Sequence, residues 1–337
     1  MNLSTAKMVR FYATGDASVL KVEDLPVQEP GKYELRIKVE AIGLNRAEIM
    51  FRNGAYLETP RFPSRLGYEA AGTVEAVGKY VSEFKVGDRV STIPAFSMGR
   101  YGVYAEQAVV PANAVSKWPE SFNAQQSAAI WMQYITAYGA LIHFGQLKRE
   151  QRILITAASS SVGVAAIQIA KNQGASVIAT TRGKSKKPFL LEQGADHVIQ
   201  TDSEDLVNTI ADITQDKGAE LIFDPIGGQL LPQLAEASSQ GGRIIEYGAL
   251  DHEPTPYPLF TALAKGLIIQ GYTIFEVTQN KRLLDKAKKY LLTLFDAKKI
   301  TPVIDKVFSF DQIQQAHEYM ESNQQRGKIV ISLADQA

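Results

Sequence analysis

The run Arg152-Ile-Leu-Ile-Thr-Ala-Ala-Ser-Ser-Ser-Val-Gly-Val-Ala-Ala-Ile-Gln-Ile-Ala-Lys171 has the residue types and spacing to hold a phosphate. A β-branched apolar segment stops at small residues, and an Ala/Ile helical pattern follows at once. A strand feeding a tight turn and then a helix leaves backbone N–H groups unpaired at the positive end of the helix dipole, which suits a pyrophosphate. The glycines of a G-x-G-x-x-G fingerprint are mostly serines: Ser159, Ser160 and Ser161 precede Val162 and the single Gly163. Ser160 or Ser161 can cap the helix and add hydroxyl donors, and Gly163 lets the helix start lie close to its strand. Taken alone, the motif also describes an ordinary strand-to-helix turn.

The next apolar run, Ser176-Val-Ile-Ala-Thr180, ends where an NAD site would place an acid on the ribose diol. Here the chain continues Thr181-Arg182-Gly-Lys184-Ser185-Lys186-Lys187. An acid would repel a 2′-phosphate, whereas Arg and Lys pair with it. In isolation this is a solvated basic loop; behind a phosphate turn at the right distance it favours NADPH over NADH. Two later segments, Phe223-Asp-Pro-Ile-Gly-Gly228 and Tyr247-Gly248-Ala-Leu250, have the form of strand ends lining the same crevice. Glycine and proline also satisfy a tight turn without any ligand, so Tyr247 is the better candidate contact. Four scattered histidines (His143, His197, His252, His317) and no cysteine give no metal-ligand spacing, and no metal site is expected.

The elements that must position these residues fall into two blocks. Residues up to about 120 alternate apolar and polar side chains, as in Glu34–Glu40 and Gly72–Gly78, and are broken by glycines and prolines, which suggests a barrel or sandwich. From there to about 275, apolar runs alternate with amphipathic helices, with strands expected at Ile153–Thr156, Ser176–Thr180, His197–Ile199, Leu221–Asp224, Arg243–Tyr247 and Leu267–Tyr272. That alternation implies βαβ units and a parallel sheet, an α/β fold. A helix striped by Leu283, Leu284, Ala287, Tyr290, Leu291, Leu294 and Phe295 follows, then strand–helix–strand to the C-terminus.

At 337 residues the chain is long enough for two domains. Apolar residues make up 45%, and Lys+Arg and Asp+Glu both total 36, so no global field favours nucleic acid or an anionic membrane. No apolar run approaches the roughly 18 residues needed to cross a bilayer, and Met1–Arg10 lacks a signal-peptide core; a cytoplasmic protein is expected.

With these pieces assembled, the chain resembles the medium-chain dehydrogenase/reductase superfamily over its full length, and within it the zinc-free quinone oxidoreductase branch. The most specific segment is Gly67-Tyr-Glu-Ala-Ala-Gly-Thr-Val-Glu-Ala-Val-Gly78, followed by Val86-Gly-Asp-Arg-Val90. Zinc alcohol dehydrogenases carry a metal-binding His where Tyr68 stands, and their ligand Cys falls on Asn45 in Ile42-Gly-Leu-Asn-Arg-Ala-Glu48. Met132-Gln-Tyr-Ile-Thr-Ala-Tyr-Gly139, Gly194-Ala-Asp-His-Val-Ile199 and Gly327-Lys-Ile-Val-Ile331 match as well. Relatives usually have Gly-Gly where this chain has Ser160-Ser161. The resemblance implies a GroES-like β-barrel catalytic domain (1–122, completed by 300–337), a doubly wound parallel-sheet Rossmann domain (123–299), and a homodimer through the Rossmann edge strand. It places Thr136 near the nicotinamide and Lys186 near the 2′-phosphate, with the Gly327–Lys328 region closing on the cofactor.

Without a metal, an alcohol oxygen cannot be activated by ligation, so electrophilic small molecules such as quinones or α,β-unsaturated carbonyls are the expected hydride acceptors. Asn45 is expected to fix the nicotinamide end or donate to the substrate oxygen. Tyr56 and Tyr68 are candidate phenolic donors, each alternatively a packing residue, and Arg52 is expected to offset negative charge. Two alternatives stay open: an enoyl-thioester reductase of the same fold, and an NADPH-binding protein with a non-enzymatic role.

Overall fold

The computed structural model describes residues 4–333. The chain divides into two compact units, one running to Met132 and resuming at Pro302, the other spanning Gln133–Thr301. The first compact unit runs to 132, ten residues past the expected 122, and the intervening segment is tied into it. Trp131 Nε1 donates to Ser91 Oγ (2.8 Å) and Met132 N–H to Glu69 Oε1 (2.9 Å). Ala128 and Ala129 join a core with Ala41, Ala71 and Val330.

In the second unit six strands form an all-parallel sheet: β1 (Arg152–Ile155), β2 (Ser176–Thr181), β3 (His197–Gln200), β4 (Ala219–Asp224), β5 (Ser238–Glu246) and β6 (Ile268–Gly271). Their spatial order is 3-2-1-4-5-6, the doubly wound arrangement whose order reverses between β1 and β4. Strands covered by helices on both faces read as continuous apolar runs, and Leu154, Ile178, Ile199, Ile222 and Ile244 bury against Leu206, Ile210, Leu231 and Leu234 of flanking helices. Most strands end within two residues of the expected positions. β5 starts earlier, at Ser238, since a register irregularity in its pairing with β4 carries the strand through Gly241 and Gly242. Helix α1 (Ser161–Asn172) follows β1, and the short helix α2 (Leu259–Lys265) precedes the edge strand β6.

The first unit is built on a seven-stranded sheet. The C-terminal strand Lys328–Ser332 lies parallel to Ile304–Ser309 and antiparallel to Glu34–Gly43, which pairs in turn with Glu69–Val77. The start of the last strand is thereby brought beside residues 43–45 and 69, far away in sequence. Among the described residues no helix is long and apolar enough to cross a membrane.

Candidate functional site

In the second unit, the segment after β1 turns sharply, with Ala157 at a φ of 44°. Ser160 is the helix cap: its backbone is extended and its Oγ accepts from Gly163 N–H (3.1 Å). Ser161 and Val162 begin α1. A side chain at position 163 would collide with the Ala158 backbone at 2.5–2.7 Å, so only glycine allows this approach. The Ser160 hydroxyl also bonds the Tyr247 phenol, whose ring stacks on Phe223 at 4.0 Å. Burial first, and then the charge of Asp224, hold Tyr247 neutral by raising its pKa well above the usual value.

Past the end of β2 the basic loop comes back to this turn. Lys186 Nζ donates to Ser159 Oγ (3.1 Å), a contact that the serine-rich spacing did not single out. Arg182 is exposed, and Thr181 is buried with its hydroxyl on Arg182 O (3.3 Å). A cap serine, a helix N-terminus and the Lys186 ammonium on one turn suit a phosphorylated nucleotide. Gly248 follows Tyr247 where a Cβ would meet Pro225 O at 2.8 Å, so tight backbone packing accounts for that glycine. Thr136 is buried on the helix Trp131–Tyr138.

In the first unit, the sequence-predicted residues surround a buried polar cluster. Asn45 Nδ2 donates to Gly43 O (3.2 Å) and Glu48 Oε1 (3.1 Å), and its Oδ1 accepts from Lys328 Nζ (2.6 Å). Both amide hydrogens are therefore engaged inside the unit in this structure. Lys328 is likewise engaged: wholly buried, it pairs with Glu69 and Asn45. Gly327, at a φ of 109°, sits where a Cβ would strike Val303 O at 2.5 Å; it serves the chain's entry into the last strand.

Glu48 and Glu69 are the members of this cluster that sequence reasoning missed. Glu48 accepts from Asn45 N–H (2.5 Å) and Tyr68 N–H (3.1 Å), and burial pushes its carboxyl up to about 7 against the opposing pull of those bonds and Lys328. The signal was present as Asn45-x-x-Glu48 at a helix start, a capping-box spacing. Arg52 is also engaged within the unit. Its guanidinium is wholly buried, donating to Gly15 O (2.9 Å), His317 Nδ1 (3.1 Å) and Glu321 Oε1 (2.6 Å), so it braces the fold. Burial, then the Arg52 charge, push His317 down to about 3, leaving a neutral acceptor.

Tyr56 and Tyr68 do meet. Their phenols are hydrogen-bonded; Tyr68 is buried against Phe96, and Tyr56 is half-buried. Burial pushes Tyr56 up to about 12 and Tyr68 higher still, so both remain protonated donors at neutral pH. Thr92 fixes the Tyr68 backbone, donating to Tyr68 O (2.7 Å) and accepting from Ala70 N–H (2.8 Å).

Residues 31–120 match the alcohol dehydrogenase GroES-like domain family, and residues 193–331 match the zinc-binding dehydrogenase family. Human quinone oxidoreductase is 32% identical over 335 residues, covering 97% of this chain and 98% of its own. The chain belongs to the zinc-free quinone oxidoreductase branch of the medium-chain dehydrogenase/reductase superfamily. The human synaptic vesicle membrane protein VAT-1 homolog is 30% identical over 335 residues, covering 94% of this chain and 84% of its own. The structure of Escherichia coli quinone oxidoreductase complexed with NADPH superimposes with a TM-score of 0.90 at 26% identity, covering 97% and 99% of the two chains.

The name of the second domain family raises the question of zinc. In this quinone oxidoreductase homologue the donors do not fit it. Among the described residues no three His, Cys, Asp or Glu side chains gather to hold a metal ion. The two positions aligned with zinc ligands carry an amide and a phenol, and the ammonium of Lys328 already neutralises Glu69.

Proposed function

We propose that this protein is a zinc-independent, NADPH-dependent oxidoreductase that delivers hydride to a quinone or an α,β-unsaturated carbonyl. The observation that carries the proposal is the pairing of Tyr56 with Tyr68 where zinc relatives place a metal ligand: two neutral phenols stand in for a Lewis acid. Phenols cannot ionise an alcohol at neutral pH, but they can stabilise charge growing on the oxygen of an acceptor that is already electrophilic. Bound NADPH supplies the hydride. Ser160, the α1 N-terminus and Tyr247 would hold the pyrophosphate end, and Lys186 and Arg182 the 2′-phosphate. Tyr68 orients Tyr56, and Tyr56 donates a hydrogen bond to the reduced oxygen. The single proton that the product needs besides the hydride comes from water.

A panel of quinones, enones and enoyl-CoA thioesters tests this by following NADPH absorbance. Turnover is expected with quinones or enones, at rates unchanged by chelator and at least about tenfold better with NADPH than NADH in kcat/KM. Chelator sensitivity or NADH preference would overturn it. Thioester-only turnover would favour an enoyl-thioester reductase, and thermal stabilisation by NADPH without turnover would favour a binding role.

The proposal extends to a cytoplasmic homodimer with small-molecule substrates and no nucleic-acid or membrane partner, which the balanced charge supports. β6 is an edge strand, and beside it Phe260 (85% exposed), Leu263 (70%) and Tyr257 (61%) are bared to solvent. Exposed apolar clusters of this kind mark association surfaces. Light scattering is expected to give a dimer, and Phe260→Asp with Leu263→Lys a folded monomer. A wild-type monomer at micromolar concentration would sink the dimer.

A further inference from the structure

The carboxyl ends of β4 and β5 carry Asp224 and Glu246, which are register partners across the parallel pair. Asp224 is fully used: one oxygen accepts from the Thr156 hydroxyl, the other from the N–H groups of Ile226 (3.0 Å) and Gly227 (2.7 Å). Both Glu246 oxygens are shut off from solvent, and neither meets an N–H or O–H donor from the other described residues. Their neighbour is the Asp224 carboxyl, so the hydrogen that links the two must belong to the carboxyls themselves. Burial and the Asp224 charge push Glu246 up to about 9.

Among the described residues no cation reaches the Glu246 oxygens. From β5, Arg243 turns to Gln270 Oε1 (3.4 Å), and Tyr247 is a neutral phenol. From β6, Gly271 lies opposite Glu246, and Tyr272 donates to Ile135 O (3.3 Å). β1 contributes the Thr156 hydroxyl, and Ser160 the hydroxyl bonded to Tyr247. The carboxyl pair is thus tied to the start of the phosphate turn through Thr156, while Tyr247, next to Glu246 in the chain and bonded through its N–H to Asp224 O, reaches the Ser160 cap.

We propose that Glu246 is a positioning residue of the nucleotide site: it carries a proton shared with Asp224, and loss of that proton weakens nucleotide binding at the adjoining turn. A second buried negative charge there would repel both the pyrophosphate and Asp224, disturbing the bonds of Asp224 to Thr156, Ile226 and Gly227. Nucleotide binding favours the protonated pair, so by linkage it takes up a proton where the free protein has lost one.

The inference rests on the proposed NADPH site, and one titration separates the two. NADPH affinity is measured from about pH 7 to about pH 10, by fluorescence and by calorimetry in buffers of different ionisation enthalpy. The wild type is expected to lose about tenfold or more in affinity across this range and to take up protons on binding near its upper end. Glu246→Gln, which donates to Asp224 without titrating, is expected to bind with a flat profile and no proton uptake. Should that variant fail to fold, the proton uptake of the wild type remains decisive. Binding without proton linkage, or the same alkaline loss in Glu246→Gln, overturns the role of Glu246 alone. Absence of NADPH binding at every pH overturns the NADPH site instead.

Discussion

Replacing Lys328 by methionine is expected to cost about 3–5 kcal/mol of stability and to lower the melting temperature by on the order of 10 °C. The ammonium is wholly buried between Glu69 and Asn45, both drawn from distant parts of the first unit. Removing it leaves the Glu69 carboxylate, among the described residues, with the Met132 N–H and no paired cation in a low-dielectric interior. It also withdraws the positive charge that partly offsets the burial of Glu48. The loss is that of a stranded charge, not of a favourable contact. Adding Glu69→Gln removes the charge and keeps an acceptor for Met132, so the double variant is expected to regain about 1 kcal/mol or more over Lys328→Met. Calorimetry and denaturant titration read both values. A loss below about 1 kcal/mol in the single variant, or no recovery in the double, would show that the cluster does not hold the unit together.

That cluster also marks where the sequence stops being readable. The parallel sheet was legible because β1, β2 and β4 are buried on both faces and read as apolar runs flanked by small turn residues. The phosphate turn was legible too, since a cap and a helix start are local in the chain; what the structure added was the choice of Ser160 over Ser161. Asn45, Arg52 and Lys328 are different. Their partners lie at Lys328, at Glu321 and His317, and at Glu69, and no local pattern reports a pairing made across a sheet. Polar residues near a resemblance motif invite assignment to substrate, yet here burial spends their hydrogen bonds on one another. Glu246 escaped for a related reason. On the page it ends an apolar strand as any solvated residue does, and only the register with Asp224 makes it an acid facing an acid.

The second large effect is expected at the basic loop. Arg182→Ala with Lys186→Ala should weaken NADPH binding by about 100-fold while changing NADH binding by less than about threefold, since each charge-assisted contact to a phosphate contributes about 1.5 kcal/mol or more. Lys186 is anchored on Ser159 at the phosphate turn, whereas Arg182 is exposed beyond the buried Thr181. Lys186 is therefore expected to give the larger share, because solvent and salt screen an exposed guanidinium. The discrimination, not the loss, carries the test. NADH lacks the 2′-phosphate and presents the same pyrophosphate to Ser160 and the α1 N-terminus, so a variant that had damaged the turn would lose both nucleotides together. Equal losses for NADH and NADPH would place the cations on the pyrophosphate. An unchanged NADPH affinity would leave Arg182 and Lys186 as a solvated loop, with the preference for NADPH over NADH to be sought elsewhere at the end of β2. Raising the salt from about 50 mM to about 200 mM should erode the wild-type preference and leave the double variant nearly unaffected.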